Sequence, residues 1–107
     1  MALTWGDVMK FIVEADFPVE PFGTYIRQGT AGEKIGAVLG AIKPEVVYFT
    51  DSGVGRGAVM IVDLDSAGQI PHVTEPLMLT FGATVQYRVA ITPEELESAG
   101  LDRYATG

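Results

Sequence analysis

Hydrophobic and polar positions alternate near the start of the chain. Phe11, Val13 and Ala15 fall on one side, Ile12 and Glu14 on the other, and this period of two predicts a strand. Asp16-Phe17-Pro18 closes it. The period then lengthens. From about 19 to 42 the apolar residues recur at helical spacing, most clearly Ile35, Val38, Leu39 and Ile42, which share one face. Phe22, Tyr25 and Ile26 keep that spacing upstream. Gly23, Gly29, Gly32 and Gly36 each weaken a helix by about 1 kcal/mol relative to Ala, so the segment reads as one helix loosened near Gly29 or as two short ones. Thr30 and Glu33 match a capping box, and Pro44 ends the segment.

Residues 46–50 and 58–64 are two β-rich runs joined by a Gly-rich turn over 51–57, the pattern of an antiparallel hairpin. Val59-Met60-Ile61-Val62 is apolar on both faces, and a strand of that kind is covered on both sides. A second helix is expected from Asp65 or Ser66, with Ser66 and Gln69 as its capping box. Ile70, Val73, Leu77, Met78 and Phe81 form its inner face and Gly82 its C-cap; Pro76 predicts a kink. Val85, Tyr87, Val89 and Ile91 alternate with Thr84, Gln86, Arg88 and Ala90 as a fourth strand. Thr92, Pro93 and Glu95 then open a short helix as N-cap, N1 and capping box, which Gly100 ends.

The order strand, helix, hairpin, helix, strand with right-handed crossovers is an α+β, ferredoxin-like β-α-β-β-α-β arrangement. It has a four-stranded antiparallel sheet, helices on one face and a short C-terminal helix. The helix-free face carries too many apolar residues to stay wet. A symmetric homodimer with the two open faces packed together shelters it simply. Residues 9–107 form the domain, and residues 1–8 read as an N-terminal extension in which Trp5 is useful only if it docks.

Composition narrows the chemistry. With 107 residues there is room for one domain and one core. There is no cysteine, which excludes disulfides, thiolate catalysis and cysteine-ligated metal and favours a cytoplasmic location. The formal net charge is −7 and the seven Lys and Arg are scattered singly. Neither nucleic acid nor an anionic membrane surface is an expected partner. The first residues lack a basic region and a long apolar run, so they do not read as a signal peptide. The apolar run 58–62 is too short to span a bilayer.

Several local sequences carry a resemblance: Met9-Lys10-Phe11-Ile12-Val13, Lys43-Pro44-Glu45-Val46-Val47-Tyr48-Phe49, Val62-Asp63-Leu64-Asp65, Glu75-Pro76-Leu77 and Thr92-Pro93-Glu94-Glu95. Over residues 9–100 the chain resembles the dimeric α+β-barrel superfamily, especially its short muconolactone isomerase-like and other bacterial members. The resemblance implies the fold and the dimer. It does not imply the reaction, because the superfamily holds isomerases, cofactor-free monooxygenases, haem-degrading enzymes, dehalogenases and proteins of no known activity.

Candidate site residues are few. His72 is the sole histidine and a candidate for proton transfer near neutral pH; its place near the edge of a helix's buried face reads first as a surface or boundary histidine. One histidine without cysteine makes a His-rich metal site impossible within one chain. Glu14 and Asp16 point to one strand face and suit acid–base work if one is buried, or else form a solvated strand-end pair. The Gly-Val-Gly-Arg-Gly stretch lacks the ending of a phosphate-binding loop and is followed by a strand, so it reads as a hairpin turn, from which Arg56 reaches an anionic ligand or a partner chain. Tyr25, Tyr48 and Tyr87, with Phe22 and Phe81, suit either a pocket wall or ordinary packing. The expectation is a small homodimer that binds a small apolar or aromatic molecule without a tightly bound cofactor or metal. In that reading it acts as a proton-transfer isomerase with His72 or Glu14 as base and tyrosine hydroxyls orienting the ligand. The alternatives are a non-catalytic dimeric binding or structural module and a cofactor-free monooxygenase.

Overall fold

The computed structural model describes residues 8–51, 53 and 55–105. Seven of the eight residues read as an extension, Trp5 among them, lie outside that set, as do Ser52 and Val54 of the glycine-rich turn. The elements run β1 (Met9–Asp16), α1 (Val19–Gln28), α2 (Ala31–Ile42), β2 (Val46–Thr50), β3 (Gly57–Leu64), a 3-10 turn (Ala67–Gln69), α3 (Pro71–Phe81), β4 (Thr84–Ala90), α4 (Pro93–Ser98) and a second 3-10 turn (Leu101–Tyr104). The sheet order is β2-β3-β1-β4, antiparallel throughout. This is the ferredoxin-like topology.

The register assigns every side chain to a face. Val13 lies between Met60 and Tyr87, Phe11 between Val62 and Val89, and Ala15 between Ala58 and Val85. These rows meet the helices: Val13, Met60, Val62, Ala58, Phe11 and Ala15 are all buried. Helix α3 adds Val73, Leu77 and Phe81 to the same core. Phe81 packs against Phe17, Phe22 and Tyr25 with centroid separations of 5.2, 5.1 and 6.0 Å. The helix layer is centred on β3 and β1. On β4, Tyr87 and Val89 face the same way yet remain 51% and 58% exposed.

Among the described residues no helix covers the opposite face. Its rows read Val46–Ile61–Ile12–Arg88 and Tyr48–Val59–Glu14–Gln86 across the four strands. Val46, Ile61, Ile12 and Val59 are half-buried and Tyr48 is exposed. One border is polar: Lys10 Nζ donates to Asp63 Oδ1 at 2.8 Å and also to Glu45. Those two hydrogen bonds, Asp63 first, raise the Lys10 pKa above its ordinary value.

The long helical segment divides at Gly29, whose φ of +74° closes α1 in the left-handed region that glycine enters without a Cβ penalty. Two expected capping boxes do not form. Thr30 has no side-chain cap bond; its hydroxyl lies 3.4 Å from the Tyr25 carbonyl instead. Gln69 Oε1 accepts from the Asp65 N–H, so the chain makes a 3-10 turn and the helix begins only at Pro71. Met78 is 37% exposed and lies off the inner face, where Thr74 is buried instead. Helix α3 continues through Pro76 as one element. Ile91 falls beyond the last strand. Gly82 ends α3 with φ +63°, and a Cβ there would sit 3.7 Å from Pro18 and Pro21 carbons. The Thr92 box forms in full: Glu95 N–H donates to Thr92 Oγ1 at 3.1 Å and Thr92 N–H to Glu95 Oε1 at 2.8 Å.

Two predictions concern stability. Phe81→Ala removes a fully buried ring with three aromatic neighbours and is expected to lower unfolding stability by about 3–5 kcal/mol, read by chemical denaturation. Glu20 accepts from Arg27 at 2.8 Å and from the Thr24 hydroxyl and N–H at 2.7 and 2.8 Å. These partners, Arg27 first, hold its carboxyl at about 2 against 4.5 in an unstructured chain. A depressed carboxylate stabilises the fold above the unfolded pKa and loses that contribution as pH falls through the folded one. The Tm difference between wild type and Glu20→Gln is therefore expected to be full above pH about 4.5, to close toward pH about 2, and to shrink with added salt because the pair is exposed.

Candidate functional site

Two recesses lie on opposite sides of the sheet at the end where β1 finishes and the β2–β3 turn begins. The first opens on the helix-free face, encloses about 320 Å³ and is bordered by Glu14, Asp16, Thr50, Asp51, Val59 and Gln86. Alternation places these side chains together: Glu14 pairs with Val59 and Gln86, and Asp16 with Thr84. Arg88 Nη2 lies 3.5 Å from Glu14 Oε1. Asp51 Oδ1 accepts the N–H groups of Gly53 and Gly55 at 2.8 and 3.1 Å, so this carboxylate shapes the turn. Gly53 and Gly55 have φ of +99° and +108°, a conformation that only glycine adopts readily.

The second recess, of about 390 Å³, opens on the helix side between α1, α2 and the hairpin. Phe17, Phe22, Ile35 and Phe49 form its walls, with Thr50 and Arg56 at its rim. Phe49 follows Val47 by two and shares its face; at the end of the short edge strand it remains 53% exposed. The Arg56 guanidinium carbon lies 4.8 Å from the centre of the Phe22 ring, within cation–π range. Arg56 Nη1 also donates to the Val19 carbonyl at 3.2 Å, and Phe17 N–H donates to the Arg56 carbonyl at 3.0 Å. The arginine is thereby fixed at both backbone and side chain. A tight apolar seam of Phe17, Val38, Leu77 and Phe81 continues inward from this recess.

The residues singled out in the sequence do not converge on one point. Glu14 and Tyr48 share the helix-free face, in one row across the sheet. His72 is exposed in the first turn of α3, a helix packed on the other face, so the sheet separates it from Glu14 within one protomer. Tyr25 is a packing residue: its hydroxyl donates to the Thr80 carbonyl at 2.7 Å, its ring edge meets Phe81, and Lys34 Nζ sits 4.6 Å from its centre. Tyr87 stands on the helix side of β4, edge-on to Phe11 at 6.4 Å. Arg56 joins Phe22 in the second recess. Phe17, Ile35 and Phe49 were not singled out for that site. The alternation of β2 carried part of the signal, but only the register shows that Phe49 faces Phe17 and Ile35. Among the described residues no three His, Asp or Glu side chains gather to hold a metal. No helix among them is long and apolar enough to cross a membrane.

Comparison with known proteins adds to the fold and not to the chemistry. No family model matches the chain, and no curated protein matches it; the muconolactone isomerase-like resemblance gains no support from either. An unknown protein from Galdieria sulphuraria superposes with a TM-score of 0.51 at 13% identity over 80% of this chain and 48% of that one. The chain thus spans about half the length of that protein, and at this identity the likeness is one of fold. A NIPSNAP family protein of unknown function from Agrobacterium tumefaciens aligns at 12% identity over 79% of this chain and 92% of its own, with a TM-score of 0.36. A dimeric ferredoxin-like protein from an uncultured marine organism aligns at 10% identity over 79% and 96%, with a TM-score of 0.34. The last two superpositions are loose.

Tyr25→Phe tests the packing role. It removes one hydrogen bond and leaves the Thr80 carbonyl without that donor, so a loss of about 1 kcal/mol is expected in denaturant unfolding. Tyr25 is not among the residues that line either recess, so ligand binding in either is expected to stay unchanged by calorimetry.

Proposed function

We propose that this protein is a dimeric binding module. Two copies pack their helix-free sheet faces together, and each holds a small apolar or aromatic molecule in the recess walled by Phe17, Phe22, Ile35 and Phe49. The observation that carries the reading is that apolar side chains remain uncovered on both sides of one sheet. On the open side Ile12, Val46, Val59, Ile61 and Tyr48 form a contiguous patch bordered by the Lys10–Asp63–Glu45 cluster at one end and Glu14 and Asp16 at the other. An apolar centre with a polar rim is the usual composition of a protein interface. On the helix side the aromatic recess is of a volume that suits a small molecule.

A catalytic reading attaches to Glu14 rather than to His72. Packing of two open faces would enclose the Glu14 recess and set its carboxylate beside any molecule held there, within reach of a proton to be moved. Tyr48 stands in the same row. Proton-transfer isomerisation with Glu14 as base and Tyr48 as a positioning hydroxyl is the reaction this arrangement supports. Glu14→Gln is expected to abolish any such activity, while His72→Ala leaves it intact.

Light scattering at micromolar protein is expected to give the mass of two chains. Ile61→Glu places a charge at the centre of the patch and is expected to give a folded monomer by circular dichroism. A wild-type monomer at every concentration tested would refute the dimer.

A further inference from the structure

The segment after β4 is locally well formed and has nothing to rest on. Its capping box is complete, Gly100 turns the chain with φ +67°, and Arg103 Nε donates to the Gly100 carbonyl at 3.2 Å. Yet none of residues 93–105 is buried, and the core draws no residue from them. Leu96, Leu101 and Tyr104 are all exposed. The concave side of the segment, a recess of about 350 Å³, is bordered by Pro93, Leu96, Glu97, Gly100, Leu101 and Asp102, all from the segment itself. A helix of six residues does not hold in water on its own, so its apolar side needs a surface to pack on. The margin of β4 offers one: Tyr87 and Val89 stand there on the helix side, each more than half exposed.

The open sheet face decides whose margin it is. One end of that face gathers the three carboxyl groups of Glu14, Asp16 and Asp51; the other carries Lys10 between Asp63 and Glu45. Two such faces can be related by a two-fold axis along the strands or across them. An axis along the strands stacks the three carboxyl groups on their own copies, where like charges repel. An axis across the strands sets them against the partner's Lys10 instead. It also lays β4 over the partner's β4 in the opposite direction, because it keeps the strand order and reverses the strands. Ala90 then stands over the beginning of the partner's β4, and the segment that follows leaves beside that strand's margin. Stacked sheets lie about 10 Å apart, and residues 91–104 span roughly 20 Å with α4 intact, enough to pass round the edge.

Resting on the face-to-face dimer, we propose that residues 92–105 of each copy dock on the β4 margin of the other, with Leu96, Leu101 and Tyr104 against the partner's Tyr87 and Val89. Charge agrees with this seat. The segment carries Glu94, Glu95, Glu97 and Asp102 against Arg103 alone, whereas β4 holds Arg88 and no acidic residue. Area agrees as well. Two symmetric contacts, each of five large exposed apolar side chains, bury roughly 1,000 Å², the area a specific interface needs, in addition to the open faces.

The test attaches a nitroxide through Ser98→Cys, an exposed position of α4 in a chain with no other cysteine. This chain is refolded together with wild type enriched in nitrogen-15, so any broadening of the observed amides arises between chains. The Tyr87 and Val89 amides of the wild-type chain are expected to lose intensity. Leu101→Ser in the nitroxide-bearing chain is expected to restore it. Leu101 is exposed in the protomer, so this substitution leaves the fold in place. With Leu101→Ser in every chain, light scattering over a dilution series is expected to show a dimer dissociation constant raised about a hundredfold, because two contacts each lose a buried leucine. A dimeric wild type with no loss of intensity between chains would overturn the docking and leave the face-to-face dimer standing. So would a loss seen only when nitroxide and nitrogen-15 share one chain, or a dissociation constant unmoved by Leu101→Ser. A wild type that is monomeric throughout would overturn the dimer and the docking with it.

Discussion

Each residue of β1 from Met9 to Asp16 is paired with β3, and all but the first are also paired with β4. A pleated strand held on both sides has no freedom to choose which side chains face which way. The odd-numbered residues Phe11, Val13 and Ala15 therefore carry Met60, Val62, Val85 and Tyr87 with them to the helix side. The even-numbered Ile12 and Glu14 draw Val59, Ile61, Gln86 and Arg88 to the other. Helices α1, α2 and α3 all give their buried residues to the first side. The open face, the separation of Glu14 from His72 and the existence of two distinct recesses all descend from that one pairing.

The sheet and its order of elements were legible because their signals are local. Alternation over 11–15 and 84–90, the glycine-rich hairpin turn and the Thr92-Pro93-Glu95 cap each need only a few neighbouring residues. The division of the helical segment at Gly29 was open from sequence and is settled by a left-handed residue there. Failures arose where a side chain had a competing partner. Thr30 turns toward the Tyr25 carbonyl, and Gln69 serves Asp65 one residue earlier than its expected partner, which converts the start of a helix into a 3-10 turn. Met78 fits the helical spacing but falls outside the stripe that Thr74 joins.

The sites were less legible than the fold because they are built across elements. Glu14, Arg56 and Phe22 could be picked out by type, but their neighbours come from strands and helices far apart in the chain. His72 drew notice as the sole histidine, and residue type says nothing of which side of a sheet its helix will cover. Arg56 was read as reaching from a hairpin turn to an anionic ligand or a partner chain. In the structure it lies over Phe22 and closes the rim of an aromatic wall, an arrangement that depends on Phe17 and Arg56 being tied backbone to backbone.

The sparing cover over β4 has a consequence for how the molecule can change over time. Tyr87 and Val89 look toward the helices but are only partly reached by them, and β4 is an edge with one side of its backbone unpaired by the sheet. A lineage could lengthen or replace the segment after Ala90 and lay new structure along this margin without disturbing the packing centred on Phe81. The neighbouring strand has no such latitude, since inserting one residue into β1, which is paired on both sides, would exchange Val13 for Glu14 in the interior. Diversification of this scaffold is thus channelled toward its carboxyl-terminal border.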